Sequence, residues 1–162
     1  MKRLYAQDEA QEEAFLTFED LEVYKKAMQF RKAMYGVTRR LPDFEKYELA
    51  SQIRRASVSL TNNIAEGHGR FHYLEQLKFL FLARGSLQEL IDNLNVCEDE
   101  SYLPRSEVVA LKEQAKEVQR LISGYARYLR ARKFGSGLTV QETAEEEDFV
   151  SDLDLLFNDS TI

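Results

Sequence analysis

Apolar residues recur along this chain mostly at intervals of three and four, in four separate blocks. That interval stacks side chains on one face of an α-helix. The first block predicts a helix over Phe18 to Arg40, with Val23, Ala27, Phe30, Met34 and Val37 on its stripe and Leu41 just beyond. Thr17 with Asp20 fits an N-cap and an acid at N3, a variant of the capping box, and Pro42 stops the helix. A second helix is expected over Phe44 to Glu66, with Leu49, Ile53, Ala56, Leu60 and Ile64 as its stripe. Ala56, Ser57 and Ser59 would let a neighbour approach closely. Gly67 and Gly69 are expected to end it, because glycine accepts the left-handed conformation helix C-termini often need.

The third helix is expected over His72 to Glu98. Leu77, Leu80, Phe81, Leu87, Ile91 and Leu94 make one stripe, while Phe79, Leu82, Ala83 and Leu90 fall off it. So much apolar circumference predicts a second buried face. The fourth helix is expected over Ser106 to Lys133, with Val108, Leu111, Ala115, Val118, Ile122, Tyr125 and Leu129 in a bundle-type stripe. No two-residue alternation competes with these patterns, and the connections are short. The reading is all-α: an antiparallel up-down-up-down four-helix bundle over residues 17–133. The polar stretch "SLTNNIAEGHGRFHY" (59–73) is then a corner between two helices.

Composition agrees and narrows the class. Gly (7) and Pro (2) are scarce, as a helical chain requires. The longest unbroken apolar run, Phe79 to Ala83, is too short to span a bilayer. The single cysteine, Cys97, excludes an internal disulfide and reads as a small buried hydrophobe in a reducing compartment. With no charged-then-apolar leader pattern, the expected location is cytoplasmic.

Charge divides the chain more sharply than its net value of −6 suggests. Residues 18–133 hold 20 basic and 16 acidic side chains, whereas residues 134–162 hold eight acids and no Lys or Arg. Residues 1–16 read as a polar N-terminal extension. Residues 134–162 read as an acidic, disordered tail after a "GSG" joint, in which Phe149, Leu153, Leu156 and Phe157 would dock a partner.

Tests for chemistry are mostly negative. "GHGR" lacks the strand a dinucleotide loop needs. His68 and His72 are separated by a helix-breaking glycine and have no third ligand nearby in sequence. Glu66, Glu75, Glu89 and Asp92 lack the Glu-x-x-His pairs of a di-iron bundle. No enzyme activity, metal or cofactor is expected. Positive charge is the remaining lead: Arg39, Arg40, Lys46, Arg54, Arg55, Arg70, Lys78, Arg127 and Arg130 are candidate phosphate contacts.

Three segments carry a family resemblance: "FEDLEVYKKA" (18–27), "LPDFEKYELASQIRRASVSLTNNIAEGHGR" (41–70) and "FLARGSLQEL" (81–90). In order and spacing they resemble the four-helix bundle proteins encoded in intervening sequences of bacterial 23S rRNA genes. Related to those are the accessory variability determinants of diversity-generating retroelements. The resemblance implies homo-oligomers, characteristically ring-like pentamers, without enzymatic activity. It also implies association with RNA and, for the retroelement members, with a reverse transcriptase. Carried onto this chain, the matching motif positions are Arg54, Arg55, Asn63, Glu66, Gly67, Arg70, Gly85, Ser86 and Glu89. Asn63 and Glu66 are expected to satisfy backbone groups at the corner, and Glu89 to receive Arg54, Arg55 or Arg70. The acidic tail departs from the family pattern.

The leading expectation is a non-enzymatic oligomer that binds RNA or a ribonucleoprotein through basic bundle surfaces. Its oligomer interface is expected around Phe79, Leu82 and Leu90. The alternative is a protein-interaction scaffold whose acidic-hydrophobic tail recruits a partner, without nucleic-acid binding.

Overall fold

The computed structural model describes residues 17–135. It contains four helices: α1 (Glu22–Thr38), α2 (Leu49–His68), α3 (Tyr73–Asp99) and α4 (Arg105–Gly135). Short 3-10 turns at Phe18–Asp20 and Asp43–Lys46 precede α1 and α2. Among the described residues there is no strand, and no helix is long and apolar enough to cross a membrane. The N-terminal extension and the acidic tail, with Phe149, Leu153, Leu156 and Phe157, lie outside the described residues.

Each helix packs against two others, α1 and α3 both lying against α2 and α4. Cross-helix pairs run in reverse order, as between antiparallel neighbours. Asn95 and Gln88 on α3 meet Lys112 and Gln119 on α4, while Lys26 and Arg40 of the α1 strip meet Glu117 and Glu107 on α4. The four stripes meet along the axis. Phe30, Met34, Ile53, Leu60, Ile64, Leu80, Leu87, Leu94 and Ile122 are all buried. Each such side chain contributes about 1.5–3 kcal/mol relative to exposure, which is the main force holding the bundle together. Small residues do bring α2 and α3 close: Ser59 Oγ lies 2.8 Å from Ser86 Oγ.

Both early helix starts differ from the periodicity. Thr17 pairs with Asp20, its backbone N–H donating to the carboxylate at 2.9 Å, but that pairing closes a single 3-10 turn. Leu21 is extended and packs on the core, so α1 begins only at Glu22. After Pro42 the chain again makes one 3-10 turn. The Glu45 carboxylate then accepts the Leu49 N–H at 3.1 Å, and α2 starts there rather than at Phe44. A carboxylate at this end also complements the helix dipole.

The two corner glycines also act differently from expectation. Gly67 is helical, and Gly69, the C-cap of α2, has φ −76°, so neither adopts the left-handed conformation. Gly67 is needed for contact instead: a Cβ there would stand 2.9 Å from Phe79 Cβ and 3.3 Å from the Gln76 carbonyl oxygen. Left-handed backbone appears at the other end of α3, at Ser101 (φ 59°). Its neighbour Tyr102 donates its N–H to the Cys97 carbonyl at 2.8 Å, and Ser101 N–H reaches the Glu98 carbonyl, which together form a Schellman cap. Cys97 is buried, and burial pushes its thiol up to about 11, in keeping with an inert packing role.

The apolar circumference of α3 does not form one outward face. α2 and α4 flank it on either side, so residues beyond the central stripe are covered too. Leu90 and Ala83 are wholly buried in the core, which removes Leu90 from any oligomer interface. Phe79 is half-buried against the corner, and Leu82 alone of the three points outward.

Candidate nucleic-acid interface

Residues 23–42 carry six cations and no acid, and residues 49–65 carry two cations and no acid. These stretches form most of α1 and α2, which lie side by side. On α1 and its C-cap, Arg31, Tyr35 and Arg39 recur every four residues and so share one face, with Lys32 beside them. On α2, Arg55, Val58 and Asn62 line up at intervals of three and four. Both faces flank the buried stripes and meet at the open seam between the two helices.

Two hollows lie along that seam, of about 620 and about 330 Å³. Arg54, Arg55, Ser59, Asn62 and Asn63 line the larger, and Arg31, Lys32 and Arg39 the smaller. Tyr35 and Val58 line both, which makes the two hollows one groove with an apolar floor. No carboxylate is among the described residues that line it. Guanidinium groups stay charged at any physiological pH, so the groove presents a fixed positive field.

Several groove side chains are held in place. Arg31 donates from Nη1 to the buried Thr61 Oγ1 at 2.8 Å, tying α1 to α2. Arg54 donates from Nη2 to the Lys46 carbonyl at 2.8 Å. Asn63 donates its amide to the Ser59 carbonyl one turn back at 2.8 Å, and not at the corner as expected. Arg39, Arg55 and Lys32 are exposed and form no ion pair among the described residues. They are the groove's least committed charges.

Of the sequence-derived cations, the fold therefore gathers Arg39, Arg54 and Arg55. Arg40 turns away and makes a two-pronged ion pair with Glu107 on α4; that partner holds the Glu107 carboxyl below the usual carboxylate range. Arg70 is engaged at the corner, paired with Glu66 and lying 4.8 Å over the Phe79 ring. Glu89 is exposed and receives none of the three arginines. Lys46 sits on the connection before α2, 5.3 Å from the Tyr47 ring centroid. Lys78, Arg127 and Arg130 lie on α3 and α4, away from the groove. His68 approaches the Tyr125 hydroxyl at 3.3 Å, while His72 is exposed at the start of α3. No metal-holding cluster of His, Cys, Asp and Glu occurs among the described residues.

Sequence reading missed Arg31, Lys32, Tyr35, Val58 and Asn62. The signal for them was present: a twenty-residue stretch with six cations and no acid, at helical spacing.

The sequence model of the 23S rRNA-intervening sequence protein family matches residues 19–124, more than half the chain. The match begins just before α1 and ends within α4, so it spans the groove completely. A comparison with curated proteins finds no match.

Proposed function

The chain belongs to the 23S rRNA-intervening sequence protein family, and we propose that it binds RNA through the groove between α1 and α2 without catalysing a reaction. The observation that carries this is the gathering of Arg31, Lys32, Arg39, Arg54 and Arg55 along one seam with no carboxylate among the described residues of its lining. Phosphate recognition needs charge and reach more than exact geometry, and this groove supplies both. A family tied to rRNA makes RNA the natural polyanion. A ribonucleoprotein, including a reverse-transcriptase complex, is the wider setting in which such a subunit would act.

The acting species is a homo-oligomer, with a ring-like pentamer as the favoured form. Leu82 is 55% exposed, and one turn away Gly85 has nothing within 4 Å of its Cβ position. A glycine inside a helix costs about 1 kcal/mol relative to alanine, and among the described residues nothing crowds the place of a side chain here. Close approach of a second copy would give it a use.

The test is binding of a labelled 23S rRNA fragment carrying an intervening sequence, measured by fluorescence anisotropy across a salt series. Three phosphate contacts make affinity fall roughly 20-fold between about 50 and about 200 mM salt. Changing Arg39, Arg54 and Arg55 together to Gln flattens that dependence. Binding that ignores both salt and the triple variant would overturn the proposal.

A further inference from the structure

The groove's ligand class follows from what lies between its charges. Tyr35 and Val58 form an apolar floor shared by both hollows. At the α2 N-terminal end, Arg54 lines the groove and binds the Lys46 carbonyl. The next residue, Tyr47, is 79% exposed, with the Lys46 ammonium beside its ring. At its Arg54 end the groove therefore adjoins the turn that carries Tyr47, which itself lines neither hollow, while Tyr35 lines both. A duplex keeps its base faces stacked inside and offers such a surface phosphates, sugars and base edges, but no base face. An aromatic ring adds affinity only where bases are free to stack on it. We infer that the groove binds single-stranded RNA, with phosphates on Arg39, Arg54 and Arg55 and bases stacked on Tyr35 and Tyr47. This inference rests on the RNA-binding reading above.

The experiment compares a labelled mixed-sequence oligoribonucleotide, free of self-complementarity, with the same strand annealed to its complement. Anisotropy titrations use the full chain at several salt concentrations. The single strand is expected to bind at least roughly tenfold more tightly than the duplex. Tyr47→Ala removes an exposed ring, with most of its surface already in water, so folding is not at issue. Tyr35→Leu keeps the groove floor apolar. Each tyrosine variant is expected to weaken single-strand binding by roughly 5- to 150-fold, the loss of one stacked base, with an unchanged salt slope. Arg55→Gln instead lowers the slope by about 0.7. Equal or tighter duplex binding, or tyrosine variants without effect, overturns the single-strand inference and leaves the RNA-binding proposal standing. Binding of neither RNA overturns both.

Discussion

Replacing Gly67 with alanine tests the reading of the corner most directly. In a free helix the change is favourable, by about 0.8–1.0 kcal/mol. Here the new methyl carbon would stand 2.9 Å from Phe79 Cβ. Comfortable carbon contacts lie at about 3.5–4.0 Å, so α2 and α3 must part locally by roughly 0.6–1.1 Å. No rotamer change relieves this, because Phe79 Cβ is fixed to the backbone of α3. The Gln76 carbonyl oxygen at 3.3 Å closes the other side. Overpacking of this kind costs about 1–3 kcal/mol, which offsets the propensity gain and leaves a net loss centred near ~1 kcal/mol. Gly124→Ala is the control, since none of the described residues comes within 4 Å of its Cβ position on α4. It keeps only the gain, about 1 kcal/mol of added stability. Urea unfolding followed by circular dichroism compares the two, with an unchanged m-value as the check that only native stability moved. Gly67→Ala is expected to unfold at the lower urea concentration, separated from Gly124→Ala by ~1–3 kcal/mol. A Gly67→Ala protein as stable as the control would refute the close-contact account.

Two further outcomes follow from the α3–α4 connection. The Tyr102 hydroxyl donates to Glu45 Oε1 at 2.8 Å, and this bond, with burial second, raises the phenol to about 12. A folded value above the unfolded one of about 10 means that its stabilising contribution is full below about pH 10 and is lost as pH rises through 12. Ultraviolet difference titration of the protein against its Tyr102→Phe variant should resolve a late phenol, and Glu45→Gln should bring it earlier; an unmoved phenol would remove Glu45 as the cause. Ser101, held at φ 59°, pays for a left-handed conformation that glycine adopts freely. Ser101→Gly is expected to raise stability by about 1 kcal/mol in the same urea assay, and a lower midpoint would show that the turn is not strained.

The four stripes were legible because helical periodicity is local. Val23, Ala27, Phe30, Met34 and Val37 fall on one side of any helix they form, and all five are buried. The same holds on α2 for Leu49, Ile53, Ala56, Leu60 and Ile64. Helix starts were less legible. A capping pattern at Thr17 and Asp20 is satisfied equally by a single 3-10 turn, and only the pull of Leu21 onto the core decides between them. The α3 residues off the main stripe were read as one outward face because a stripe in isolation has no neighbours. Burial of Leu90, the corner role of Phe79 and exposure of Leu82 depend on where α2 and α4 lie.

The candidate groove divides in the same way. Arg54 and Arg55 were singled out from their position mid-helix, and Arg39 from its position near a helix end, yet nothing local distinguished Arg39 from Arg40. The fold separates them at the end of α1: the C-cap Arg39 reaches the α2 seam, while Arg40, one residue on, reaches Glu107 on α4. Taken alone, the sequence determined an all-α bundle, the central stripe of each helix and an acid-free basic stretch, since periodicity and charge are written residue by residue. Which flank of each stripe is covered, which cations share a groove and why Gly67 must be glycine were decided only by tertiary structure. Those properties belong to pairs of helices, and the distance between two helices is set by packing rather than by either segment alone.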